Sequence, residues 1–156
     1  MSQIADRLSE LGVTIPAVSA PAGAYIPAVI SGRLVFTAGQ LPFVDAALPA
    51  TGKVGEGAGL VSPADAKGYA RLSAINALAA VESVLGSLDR VTRIVKVVGF
   101  VASDPSFTGQ PGVINGASEF LGDVFGDRGI HARSAVGVAV LPLDSPVEVE
   151  LIVEFD

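Results

Sequence analysis

The chain has 156 residues with a formal net charge of -6, one His and no Cys. The missing cysteines remove disulfides, thiolate nucleophiles and zinc–thiolate sites, and a single His rules out a His-rich metal site or a two-histidine relay. The acidic balance weighs against nucleic acid as a partner, because Lys and Arg clusters supply most of the affinity for a phosphate backbone.

The length fits one domain, 1–156, with a single core. Hydrophobic residues make up 50% and charged residues 17%, apolar enough that some surface is expected to be shared with a partner subunit. Apolar runs are too short and too interrupted for a membrane span. The opening MSQIADRLSELG lacks the basic start and apolar middle of a signal peptide, so the expected compartment is the cytoplasm. Catalysis, if present, falls to Arg, Glu, Asp, Tyr, Ser or backbone groups; no metal or cofactor is expected.

In chain order, Ile4, Leu8 and Leu11 fall at helical spacing before Gly12 and predict a short amphipathic helix within residues 1–12, a packing arm. Val13 to Pro27 contains Pro16, Pro21 and Pro27, so it is expected to be extended, with Tyr25 its one large polar-tipped side chain. Ala28 to Ile30 and Arg33 to Ala38 read as two strands joined by a tight turn at Ser31-Gly32. Residues 43 to 61 hold Gly52, Gly55, Gly57 and Gly59 without periodicity and predict a long surface loop. The spacing of these glycines matches neither phosphate-loop pattern.

Ser62-Pro63-Ala64-Asp65 is a strong helix start. Ala70, Ala74, Ala77, Val81, Val84 and Leu88 then predict one buried stripe, with Gly86 as the stop. Ile94 to Val101 is a near-continuous apolar run, the pattern of a strand covered on both faces. Val113, Ala117, Phe120, Leu121 and Val124 mark a second long helix from near Pro111 to Gly126. Ser134 to Leu141 and Val147 to Phe155 read as closing strands, the latter strictly alternating, joined by a short turn at Pro142 to Pro146. This order predicts an α+β layer: a mixed sheet, both long helices on one face, and an open face suited to self-association.

Tyr25, Gly39, Asn115, Arg133 and Glu148 sit in the phrases AGAYIPAVISGRLVFTAGQLP, INGASEFLGDVFG, and ARSAVGVAVLP followed by VEVELIV. With these phrases the chain resembles the Rid family of reactive intermediate deaminases, also called YjgF-like or endoribonuclease L-PSP proteins, from about Ala20 to the end. The resemblance implies a chorismate-mutase-like fold, a homotrimer with clefts between subunits, and a small carboxylate ligand. It implies that Arg133 grips the carboxylate and is needed for activity, that Glu148 and Tyr25 line the cleft, and that Gly39 and Asn115 belong to the substrate site. The implied reaction is hydrolysis of enamines and imines such as 2-aminoacrylate to 2-keto acids and ammonia. Three positions depart from the common pattern: Ala38 stands where many members have Ser, Ala135 where many have Cys, and His131 where Pro is usual. The first helix and the loop 43 to 61 are longer than in compact members, which points to a side branch.

The residues carry their own readings. Arg133 offers a planar fork suited to a carboxylate, with no acid nearby in sequence, and its bland alternative is a structural salt bridge. Glu148 is either a carboxylate that positions water or part of a solvated edge with Glu150 and Glu154. Tyr25 is a ligand contact or a packed ring, Asn115 a ligand or a loop-bonding amide. His131 is expected to support the site from behind, since no Ser-His-acid arrangement is readable around it. The competing functions are a small-acid-binding protein without turnover and, less favoured by the charge, a ribonuclease.

The two closing strands are expected to run antiparallel, with Glu148 in register opposite Leu141. Arg133 is eight residues from Leu141, roughly 27 Å at about 3.4 Å per residue. No side chains span that distance, so a substrate touching both residues would have to lie between two subunits.

Overall fold

The computed structural model describes residues 2–21 and 23–156. Met1 and Ala22, which fall in the predicted first helix and the predicted extended segment, lie outside the described residues. Helix α1 spans Gln3–Glu10 and buries Ile4 and Leu8, with Ser2 Oγ accepting from the Ala5 N–H. It is tied down at two more points: Asp89 Oδ1 accepts from the Ile4 N–H at 2.9 Å, and Arg7 Nε donates to the Asp123 carbonyl at 2.7 Å.

Strands β1 (Ala28–Ser31) and β2 (Leu34–Thr37) form the expected hairpin, one residue later at the turn, since Ser31 pairs with Leu34 and leaves Gly32-Arg33 as the loop. Gly32 has φ +60, which a type II′ turn needs at its first central position. Helix α2 spans Pro63–Leu85, capped by Ser62 Oγ at one end and by left-handed Gly86 at the other. Strand β3 (Val91–Ala102), helix α3 (Gln110–Phe125), and strands β4 (Ala132–Val138) and β5 (Val147–Phe155) complete the chain. The sheet order is β1-β2-β5-β3-β4, with β3 and β4 parallel and the other pairs antiparallel. Helices α2 and α3 pack on each other and on the same sheet face, as the element order predicted.

That face holds the core. Val147, Val149, Leu151, Val153 and Phe155 of β5 interleave with Val97 and Val101 of β3 and with the small residues of α2. Burial on α2 is wider than a single stripe and includes Ser73, Asn76 and Leu78, because the sheet covers one side and α3 another. Val84 is only partly buried, and Leu88 lies beyond Gly86 in a short 3-10 turn. Gly116 allows this crossing: a Cβ there would overlap the Lys67 carbonyl oxygen of α2.

Three expectations change. The strand predicted to be covered on both faces is covered on one: Val97 and Val101 are buried, while Lys96, Val98 and Phe100 are only half buried on the other side. That second face also presents Val29, Phe36 and Val136, all substantially exposed. Within this chain the described residues leave it open. The loop 43 to 61 is not purely a surface loop. Val54 is fully buried, its N–H bonding the Ala102 carbonyl and its carbonyl accepting from the Asp104 N–H, so the loop's midpoint is laid along the end of β3. Strand β4 ends at Val138, short of Leu141, because the chain must leave the sheet edge and pass β3 before re-entering as β5. A 3-10 turn at Pro142–Asp144, with Leu143 and Asp144 at φ 58 and 57, makes that passage.

Candidate functional site

The expected site residues fall into two groups on opposite sides of the sheet. Arg133 pairs in register with Val97, which faces the helices, so its side chain rises toward α3. There Arg133 Nη1 donates to Asn115 Oδ1 at 2.8 Å and to Ser118 Oγ at 3.2 Å. Among the described residues no carboxylate pairs with it, and its Nε and Nη2 atoms carry no hydrogen bond. The alternative of a structural salt bridge is thus not what the chain builds. Two neutral oxygens on one helix face hold the guanidinium through Nη1 and leave its Nε–Nη2 edge without a hydrogen-bond partner among the described residues, the edge with the planar two-donor geometry that matches a carboxylate. Asn115 Oδ1 accepts from the arginine and not from a loop.

Glu148 alternates out of phase with the buried β5 residues and lies on the open face, in register with Phe100. It meets Gly39 and Tyr25 at a cavity of about 220 Å³ completed by Ala20, Gln40, Leu41, Phe43, Pro142 and Leu143. The backbone of Gln40 pairs with Val149, N to O 2.8 Å and O to N 3.0 Å, which presses Gly39 flat against the glutamate. A Cβ at Gly39 would overlap Glu148 Oε1 and come within 2.7 Å of Cδ. Tyr25 is half exposed at the rim. Burial, reinforced by the neighbouring Glu150 carboxylate, pushes the Glu148 pKa up; burial alone does the same to Glu150. A carboxylate with a raised pKa holds its proton, and accepts one, more readily than an ordinary carboxylate, which suits a proton-transfer role.

Arg133 and Glu148 do not meet within the chain, but the expected register was wrong. Glu148 stands opposite Phe100, and through it Val136, not Leu141, while Arg133 stands opposite Val97 and through it Leu151. The offset along the strands is therefore three residues, roughly 10 Å, and the offset across them is two strand spacings, again roughly 10 Å. The opposite facing of the two side chains, more than distance, keeps them apart.

His131 enters the arginine cluster in a way the sequence reading missed. Its Nε2 lies 2.9 Å from Ser118 Oγ and its Nδ1 lies 2.6 Å from the Gly129 carbonyl oxygen. A serine–histidine pair does exist, with a backbone carbonyl where an acid would stand. The available signal was spacing: Asn115 and Ser118 are three apart on one helix, hence on one face, and His131 and Arg133 are two apart entering a strand.

A five-stranded mixed sheet with two long helices on one face and an arginine held at the mouth of its edge strand is a chorismate-mutase-like α+β arrangement. The chain belongs to the family described as "YjgF/chorismate mutase-like, putative endoribonuclease", whose model matches residues 5–155. Among its relatives, Protein TCP17 of Trypanosoma cruzi is 42% identical over 155 residues, covering 99% of this chain and 95% of that protein. The crystal structure of Atu1372 from Agrobacterium tumefaciens, a protein of unknown function, superposes with a TM-score of 0.89 at 43% identity, covering 99% of this chain and 93% of that one. E. coli TdcF, solved with bound serine, superposes with a TM-score of 0.65 at 28% identity, covering 92% and 96% of the two chains. Among the described residues no helix is long and apolar enough to cross a membrane.

Proposed function

We propose that the chain is a cofactor-free hydrolytic deaminase of small carboxylated enamines and imines, of the 2-aminoacrylate type, releasing 2-keto acids and ammonia. One observation carries the reading: Arg133 is held in position through Nη1 by Asn115 and Ser118, while its remaining edge has no partner among the described residues. A guanidinium oriented in advance and left unpaired is a carboxylate clamp whose ordering cost is met by the fold. Glu148, with its raised pKa, is suited to take the proton of the attacking water and to return one to the departing amine.

The working unit in this reading is a homotrimer with a cleft at each subunit interface, in the cytoplasm. Because Arg133 and Glu148 face opposite sides of the sheet in one chain, a substrate that touches both needs the arginine of one subunit and the glutamate of another. The apolar residues Val29, Phe36 and Val136 on the open sheet face supply a reason to associate.

A small-acid-binding protein without turnover is the second reading, favoured by the same clamp and by the serine found in the related TdcF structure. The ribonuclease reading fits poorly with a net charge of -6. The deciding assay supplies freshly generated 2-aminoacrylate and follows pyruvate formation above the rate in buffer. Turnover that disappears in Arg133→Ala supports the deaminase; binding of 2-ketobutyrate with no rate acceleration supports the sensor. Mixing inactive Arg133→Ala and Glu148→Ala subunits tests the ring: after reassembly about a quarter of interfaces in an equal mixture carry both native residues. Recovery of about that fraction is expected, and no recovery from a correctly reassembled mixture refutes shared clefts.

A further inference from the structure

We propose that the cavity beside Glu148 is a recess for an apolar substituent of the substrate, so that the chain selects 2-imino acids with branched aliphatic or aromatic side chains over the 2-aminoacrylate parent. The proposal rests on the deaminase reading above and names the substrate class of that same site. Arg133 does not line this cavity. A substrate whose carboxylate is gripped by the arginine of one subunit, and whose C2 lies at the Glu148 carboxylate of another, has one group left to place there. That group is the carbon chain on C2.

The cavity is larger and more apolar than 2-aminoacrylate needs. Its volume is about 220 Å³, whereas about 150 Å³ holds a benzene ring and one water takes about 30 Å³. The substituent of 2-aminoacrylate is a single methylene, which leaves most of that space to water. Apart from Glu148, Tyr25 and Gln40, the side chains around it are apolar, with Leu41, Phe43 and Leu143 the large ones. Water against such walls makes few hydrogen bonds, and an apolar group that displaces it gains affinity.

The walls are also fixed, as a recess that discriminates by shape requires. Asn76 of α2 is buried and uses both N–H bonds of its amide on one wall: Nδ2 donates to the Leu41 carbonyl at 2.9 Å and to the Phe43 carbonyl at 3.1 Å. Pro42 between them has no N–H and a fixed φ, so the amide does for this segment what a neighbouring strand would. A second wall is held in a strained form. Leu143 has φ 58 and Asp144 φ 57, two consecutive left-handed residues without a glycine, a conformation rare for a bulky side chain. The Asp144 carbonyl accepts from the Gly52 N–H at 2.8 Å, and the buried Ser145 hydroxyl donates to the Val147 carbonyl at 2.8 Å, so the turn is tied on both sides. Strain kept beside a reactive group marks a positioned residue. Here it presents a leucine at the cavity, where a glycine would relax the backbone and leave the recess open.

The test generates imines in situ from leucine, alanine and glutamate with an amino-acid oxidase and catalase, traps them with semicarbazide, and reads hydrolysis by the protein as loss of the semicarbazone. The alanine-derived imine is the tautomer of 2-aminoacrylate. Each buried methylene is about fourfold in affinity, so three further carbons are expected to put kcat/KM for the leucine-derived imine about 60-fold above the alanine-derived one. The glutamate-derived imine, similar in length but carrying a second carboxylate toward Glu148, is expected to fall below both. Leu143→Ala and Phe43→Ala should each narrow the leucine-to-alanine ratio by about tenfold. Leu143 is exposed, so its variant decides alone if Phe43→Ala does not fold. A ratio near one, equal turnover of the leucine- and glutamate-derived imines, or a ratio that neither variant narrows overturns the recess and leaves the deaminase standing. A wild-type protein that accelerates hydrolysis of none of the three imines overturns both.

Discussion

Replacing Gly39 with alanine displaces the Glu148 carboxylate while leaving residue 148 itself unchanged. The Gly39 backbone is outside the left-handed region, so an alanine there is not strained by its φ; the added methyl collides only with a side chain. Its carbon would overlap Oε1 and lie 2.7 Å from Cδ and 3.0 Å from Cγ, so the carboxylate must leave its place. The overlapped atoms are the far end of a flexible chain, and a shifted rotamer costs roughly 0.5–1.5 kcal/mol. Releasing a carboxylate whose pKa is raised by burial returns part of that cost. The net change in stability should therefore stay within about 1 kcal/mol. Activity should fall much further, because general acid–base catalysis contributes about 10²–10⁴-fold and a loss of 10² corresponds to about 2.7 kcal/mol of transition-state stabilisation. Turnover of freshly generated 2-aminoacrylate, measured beside thermal unfolding, separates the two effects. The double variant Gly39→Ala/Glu148→Gln should be no worse than Glu148→Gln alone, since both act through one carboxylate. Gly39→Ala with full turnover, in a background where Glu148→Gln is inactive, would refute the placement of Glu148 in the reaction.

At Gly116 the same substitution should have the opposite character. The new methyl would overlap the Lys67 carbonyl oxygen and lie 2.8 Å from the carbonyl carbon, both backbone atoms of a neighbouring helix. Gly116→Ala should destabilise by about 1–3 kcal/mol through overpacking, whereas Gly68→Ala, on exposed α2 surface with nothing within 4 Å, should stabilise by roughly 0.5–1 kcal/mol; urea unfolding that ranks them otherwise contradicts the α2–α3 crossing. Glu148 also predicts a pH effect on stability. Its folded pKa is raised above the ordinary value of 4.5, first by burial and then by Glu150. Between those two values the folded chain holds more protons than the unfolded one, so stability falls as pH rises through that window. Glu148→Gln should match wild type at the acidic end and exceed it at neutral pH; a stability difference between the two that does not change with pH would show that the carboxylate is not desolvated.

Hydrophobic periodicity and turn chemistry determined the elements. The four-and-three spacing of α2, the Ser62 cap, Gly86, and the alternation of Val147 to Phe155 each carry their cause locally, and the structure has them within a residue or two. The side of the sheet that faces the helices was legible for the same reason, because one register of an alternating strand is apolar and the other holds Glu148, Glu150 and Glu154. The candidate site residues were legible as motif positions, and Arg133 also as a guanidinium without a nearby acid. Their partners were not. The order of strands placed β3 between β4 and β5, and this changed the offset between Arg133 and Glu148 from eight residues to three. No local pattern records which strand a chain passes over before it pairs. The burial of Val54 within a glycine-rich loop is likewise a property of the strand end it lies on. The bond between Ser118 and His131 belongs to the same class. Thirteen residues separate them in sequence, on a helix and on the entry to a strand. Only the packing of α3 over the sheet brings that hydroxyl, that imidazole and the guanidinium of Arg133 into one hydrogen-bonded chain.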